Sequence, residues 1–136
     1  MRHPRIGSAL VLALVPALAM PVAASVNQAA ADLAFADAMD ACAAATHQGP
    51  HPFVPGFVIE HVVAGEDEAG RCPYSQTMPG GMRMECALSG EGRAALAREF
   101  REMAEGRLQG GTADQPAWTG ECELVLPDGK RQPMRQ

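Results

Sequence analysis

The order of helical and extended patterns along this chain predicts an α+β fold. Two segments have helical periodicity, and four others have extended patterns bounded by glycine- or proline-containing turns. They follow one another as helix, three-strand meander, helix and strand. Consecutive strands without intervening helices are typical of antiparallel pairing. We therefore expect a small, mainly antiparallel sheet with helices on one face.

The first helix is predicted over Asn27–Thr46. Phe35, Met39 and Cys42 recur on one helical face, which would be the face packed against the sheet. The following segment, His47–Pro52, contains two prolines, which cannot continue a helix. The helix is thus predicted to end there, and the histidines of this segment are predicted to be exposed loop residues.

Three strands are predicted after this helix. Phe57–Val63 is rich in β-branched residues, and Met82–Leu88 alternates apolar with charged side chains. Arg71–Gln76 lies between them, and Pro73 indicates that this strand is at a sheet edge because proline cannot donate to a neighbouring strand.

The second helix and the last strand complete the predicted fold. The helix is predicted over Gly90–Arg107, with Ser89 as its N-cap. The last strand is predicted over Trp118–Leu126. The polar end, residues 127–136, is expected to be frayed.

Residues 1–24 have the three parts of an export signal. A start that contains Arg2 and Arg5 precedes a short apolar run, and Val22–Ala24 offers small residues for cleavage. The run is too short for a membrane span, which needs about 20 apolar residues. We therefore predict a bacterial protein that is periplasmic or secreted, with residues 25–136 as one globular domain and no membrane span.

The charge of the chain argues against nucleic acid as a partner. The formal net charge of −5 becomes more negative by two charges when Arg2 and Arg5 leave with the signal segment. The chain contains one lysine, Lys130. An acidic domain of this kind has no basic patch that could follow a phosphate backbone.

The four cysteines are predicted to form two disulfides. Cys42, Cys72, Cys86 and Cys122 are an even set in an exported chain, and they lie 14 to 36 residues apart rather than in the close pairs of zinc sites. The predicted topology favours the pairs Cys42–Cys122 and Cys72–Cys86, because it places the members of each pair at the same end of the sheet. A five-residue loop between the second and third strands would face Cys72 against Cys86, whereas a three-residue loop would leave them diagonal.

A copper site is the most specific hypothesis for a functional site in this sequence. Thioether sulfur suits Cu(I) and imidazole suits Cu(II). The candidate ligands are Met78, Met82, Met84, His51 and His61. The competing interpretation places Met82 and Met84 in the core, because they alternate with charged residues on the third strand and methionine fills core gaps well.

Catalytic motifs are absent from the sequence. No serine lies in a Gly-x-Ser-x-Gly motif, and no Cys-x-x-Cys pair occurs. Trp118 and Tyr74 would mark a binding face if exposed and would fill the core if buried.

The sequence therefore favours a non-enzymatic binding or accessory protein of the cell envelope, with an envelope protein as its partner. A periplasmic copper-binding protein is the alternative, and a small hydrolase is third.

Overall fold

The computed structural model describes residues 22–107 and 118–134, with side chains from residue 26 onwards. The elements are α1 (Val22–Ala41), β1 (Ala45–Pro50), β2 (Val58–Val63), β3 (Cys72–Met78), β4 (Met82–Leu88), α2 (Gly90–Ala104), β5 (Cys122–Val125) and β6 (Arg131–Pro133). Of the predicted signal segment only the backbone of Val22–Ala24, in α1, lies within the described residues. Within these two ranges, no helix combines the length and apolarity that crossing a membrane requires.

The predicted α+β class is confirmed. The six strands form one open antiparallel sheet in the order β1-β2-β3-β4-β5-β6, and the two helices pack against each other on one of its faces. The core between the layers consists mainly of apolar side chains from both helices and from alternate strand positions. Its largest fully buried members are Phe100, Met39, Met84, Leu88, Val63 and Cys72.

β1 is a strand that the sequence pattern did not predict. Helix α1 ends at Ala41 rather than at Thr46, because Cys42 adopts a φ of 48°. The Cys42 N–H donates to the Met39 carbonyl and the Ala43 N–H donates to the Ala38 carbonyl, which closes the helix with a Schellman motif. The chain then enters β1, which pairs with β2 along its whole length.

The extra strand changes the disulfide pairing, and the predicted pairs Cys42–Cys122 and Cys72–Cys86 are wrong. The bonds are Cys42–Cys72 and Cys86–Cys122, with Cα–Cα distances of 5.7 and 4.0 Å. Strands β1 and β3 point in the same direction because β2 lies antiparallel between them. Cys42, just before β1, and Cys72, at the start of β3, therefore lie at the same end of the sheet.

The β3–β4 connection explains why Cys72 does not face Cys86. Three residues, Pro79–Gly81, join the two strands. In this register Cys72 lies opposite Leu88 and Tyr74 lies opposite Cys86, so the two cysteines are diagonal. Cys86 instead lies directly opposite Cys122 on β5, to which it is bonded.

Strand β3 lies inside the sheet, so its predicted edge position is wrong. Pro73 is tolerated there because of the side to which its nitrogen points. Its carbonyl accepts the Ala64 N–H at 3.1 Å, and the nitrogen and carbonyl of one residue face the same neighbour in an antiparallel strand. The missing N–H thus faces the segment just beyond Val63, where β2 has already ended.

The C-terminal segment is more ordered than predicted. Strand β5 begins at Cys122, after a 3₁₀ turn over Thr119–Glu121, rather than at Trp118. Residues 131–133 form β6, so fraying from residue 127 is wrong for this part of the chain. Residues 135 and 136 lie outside the described residues.

The N-terminus of α2 is closed by Ser89, as predicted, and also by Glu121. Ser89 Oγ accepts the Gly92 N–H at 3.1 Å. The Ser89 N–H donates to Glu121 Oε2 at 2.8 Å, and Ser89 Oγ donates to Glu121 Oε1 at 2.5 Å. A carboxylate at this position also interacts favourably with the helix dipole.

Gly92→Ala should be less stable than Gly90→Ala by about 1 kcal/mol, because both variants gain the helix propensity of alanine but only Gly92→Ala loses the hydrogen bonds between Glu121 and Ser89. A Cβ at Gly92 would overlap the Glu121 carboxylate and displace it from Ser89. Gly90→Ala is the matched control, since a Cβ there meets nothing within 4 Å. Urea denaturation of both variants measures the difference, and equal stabilities would contradict the role of Glu121.

Candidate binding surface

The two ends of the sheet differ in character. The disulfides lie at one end, where β1 and β3 begin and β4 finishes. The opposite end is formed by the β1–β2 connection and the Pro79–Gly81 turn. We call the segment His51–Val58 at this second end the apolar loop.

The apolar loop exposes three large hydrophobic side chains. Phe53 is 67% exposed, Val58 is 55% exposed and Val54 is 38% exposed. The other exposed large hydrophobics in the described part of the chain are Val26, Leu33 and Met103, all on the helices. Single exposed apolar residues are common, but three within six positions concentrate exposed apolar surface in one segment at this end of the sheet.

Internal contacts order this loop without a partner. His51 Nδ1 accepts the N–H groups of both Phe53 and Val54 at 3.0 Å. The backbone closes on itself, since the His51 N–H donates to the Phe57 carbonyl at 2.9 Å. The His51 ring also makes edge contacts with the rings of Phe53 and Phe57. Gly56, with a φ of 79°, supplies the left-handed position that the turn needs.

A shallow depression of about 600 Å³ adjoins the apolar loop. Its apolar lining comes from Phe57, Val58, Met78 and Met82, so it extends the loop's apolar surface. Glu60 and Arg83 also line it and supply one negative and one positive charge. The surface as a whole combines the exposed apolar loop with an apolar depression that contains two charged side chains.

The structure brings together only part of the predicted copper-ligand set. Met78 lies directly opposite Met82 at the turn, and both are partly exposed. Met84 is buried in the core at 2% exposure. His51 uses Nδ1 to accept backbone N–H groups, and His61 is buried beside Tyr74. Among the described residues, no group of three or more His, Cys, Asp or Glu side chains could hold a metal ion.

Tyr74 and Trp118 lie in the core rather than on a binding face. Tyr74 is 2% exposed and Trp118 is 7% exposed. Trp118 Nε1 donates to Glu99 Oε1 at 2.8 Å, and burial raises the pKa of this carboxyl group. The exposed apolar residues of the loop were missed, although their position in a turn-rich segment with three nearby prolines was a usable signal.

The helix-free face of the sheet carries a second groove, of about 560 Å³. Two arginines and two of its three glutamates form ion pairs with one another. Arg131 contacts Glu85 and Glu123 at 2.7 Å, and Arg83 lies 3.4 Å from Glu85. Hydrogen bonds to Glu123 and Glu85 raise the pKa of Arg131. This is the ion-paired, solvated face expected of a one-sided antiparallel sheet.

A buried polar cluster lies on the helix-covered face, beneath α1. Asp32, His47, His61 and Tyr74 are each at most 7% exposed. Asp32 Oδ1 lies 2.7 Å from His47 Nε2, and Gln28 donates to the same oxygen at 3.1 Å. The prediction that His47 is an exposed loop residue is therefore wrong, because the unpredicted strand β1 turns its side chain inward.

Comparison with protein-family models, with curated proteins and with solved structures found no match for this chain.

Proposed function

We propose that the protein is an exported, non-enzymatic binding protein of the cell envelope that contacts a partner protein through the apolar loop. The observation that carries the proposal is the exposure of Phe53, Val54 and Val58 on a loop already ordered by its own hydrogen bonds. Two disulfides support an oxidising, extracytoplasmic location, where such bonds form and persist.

A protein partner fits this surface better than other ligand classes. The loop exposes large apolar side chains, and an apolar pocket on a partner protein would remove them from water. Aromatic anchors such as Phe53 contribute strongly to binding when they fill such pockets. Because the loop is ordered before binding, little conformational entropy is lost on association. The acidic charge of the chain disfavours nucleic acid and anionic lipid surfaces.

Affinity capture from cell-envelope extract tests this proposal. Mature protein tethered through its C-terminus should retain a partner that mass spectrometry identifies. The double variant Phe53→Ser/Val54→Ser should bind that purified partner at least about 30-fold more weakly, which corresponds to one interface hot spot. Leu33→Ser is the matched control, because Leu33 is 43% exposed but lies on α1. The absence of a partner, or equal losses in both variants, would contradict the proposal.

Copper binding stays the alternative, and it rests on one observation. Met78 and Met82 face each other across the β3–β4 turn with partly exposed side chains. Two thioethers provide a soft site for Cu(I) but fewer ligands than the predicted set. A Cu(I) titration under a competing chelator, compared with Met78→Leu/Met82→Leu, distinguishes this function from protein binding.

A further inference from the structure

Two buried histidines lie face to face beneath the helices, on the strands that carry the apolar loop. His47 on β1 and His61 on β2 are directly opposite each other, and their ring centroids are 5.7 Å apart. Phe35 of α1 and Phe100 of α2 contact both rings. Each histidine is 7% exposed. The histidine pair is thus the point where the β1–β2 hairpin meets both helices.

The hydrogen bonds of His61 are satisfied when its ring is neutral. Tyr74 donates its single hydroxyl proton to Gln76 Oε1 at 2.8 Å. His61 Nδ1 lies 2.7 Å from the same hydroxyl oxygen, so it must be the donor in that contact. The Nδ1–H tautomer of the neutral ring forms this series of hydrogen bonds. A second proton would bind at Nε2 and add a positive charge.

Few groups can compensate that charge. The titratable groups around the histidine pair are Asp32 from α1, which contacts His47, and Tyr74 from β3, which contacts His61. Glu99 from α2 acts on Tyr74, whose pKa burial and this carboxylate raise. Glu99 also accepts from Trp118. Within the described ranges, no carboxylate forms an ion pair with His61. The carboxylate that contacts the pair is therefore held by His47, and a protonated His61 would be a buried cation without a carboxylate partner.

We propose that the histidine pair makes the packing of the β1–β2 hairpin against α1 and α2 pH-dependent. We call the packed hairpin the seated state. Acidification releases the hairpin, and the apolar loop with it, from both helices. The significance of this release for partner binding rests on the proposed function. The opening itself is a property of this chain and can be measured without a partner.

The direction of the pH dependence follows from the pKa of His61 in the seated and released states. Burial and the neighbouring His47 lower the pKa of His61 from 6.5 to about 4 in the seated hairpin. A released hairpin exposes the ring and restores the ordinary value. The released state thus takes up a proton below pH 6.5, and the seated state does so only near pH 4. The seated state is most strongly favoured above pH 6.5. Between these two pH values the equilibrium constant for seating falls about tenfold per pH unit.

Amide hydrogen exchange between pH 7 and 4.5 tests the proposal. After correction for the intrinsic exchange rate, the β1 and β2 amides that hydrogen-bond to a neighbouring strand should lose protection. The protection factor should fall about tenfold per pH unit below pH 6.5. Amides of β4 and α2, which exchange when the whole domain unfolds, should be better protected than those of β1 and β2 at every pH. Equal protection of all these elements, or no loss with falling pH in β1 and β2, would overturn the proposal.

His61→Asn identifies the sensor, because its amide nitrogen can replace Nδ1 as the donor to Tyr74 without titrating. This variant should lose the pH dependence of β1 and β2 protection. His51→Asn, in the loop but outside the pair, should keep it. If His61→Asn does not fold, ring NMR titration of the parent protein decides, and a His61 pKa near 6.5 would refute the proposal. Failure of partner capture would leave these exchange results unaffected, so the two proposals fail independently.

Discussion

Replacing Phe100 by alanine should lower the free energy of unfolding by about 3–5 kcal/mol, the range for removing a buried phenylalanine ring. The side chain is 1% exposed. Its ring lies 4.8 Å from Phe35 and 5.0 Å from His61, centroid to centroid. Its removal would thus leave a cavity where α1, α2 and the β1–β2 hairpin meet.

Urea denaturation at pH 7 measures this loss. Met103→Ala, on the same helix but 37% exposed, is the control and should cost less than about 1 kcal/mol. Two variants of similar stability would show that the contact between Phe100 and the histidine pair does not organise the core. The ring NMR of His61 gives a second readout, because water entering the cavity should move its pKa upward from about 4.

Removing either disulfide should cost about 3.5–4 kcal/mol in the chain-entropy view, where stabilisation grows slowly with loop length. Cys42–Cys72 spans 30 residues and Cys86–Cys122 spans 36, so their expected contributions are nearly equal. The double variants Cys42→Ala/Cys72→Ala and Cys86→Ala/Cys122→Ala should therefore lose similar stability.

Denaturation of both double variants, with peptide mapping of the parent under non-reducing conditions, measures this prediction. A loss below about 1 kcal/mol for either pair would contradict its structural role. Recovery of a Cys42–Cys122 peptide would contradict the topology itself, since β1 is what brings Cys42 beside Cys72.

Strong local patterns made most of the fold predictable. Strand β4 has the predicted bounds, because Met82, Met84, Cys86 and Leu88 recur at every second position and Arg83 and Glu85 lie between the first three. The start of α2 was also predicted, from the Ser89 cap. β1 could not be predicted in this way, since Ala45–Pro50 has a single β-branched residue, Thr46. Pairing with β2 and the contact of His47 with Asp32 stabilise it, and both are tertiary interactions.

The disulfide pairing and the site depend on the same tertiary information. One unpredicted strand reverses the chain direction and thereby exchanges the cysteine partners. Burial of Tyr74 depends on which side of the sheet the helices cover. Tyr74 and Trp118 were identified as candidates from composition, but composition contains no information on that side, and Phe53 was not identified.

Site-specific photo-crosslinking in cells tests whether the apolar loop contacts a partner protein. A photo-reactive phenylalanine analogue replaces Phe53 in one strain and Leu33, on α1, in another. Position 53 should give one discrete crosslinked adduct that is absent from position 33. No adduct from position 53, or the same adducts from both positions, would contradict contact through the apolar loop.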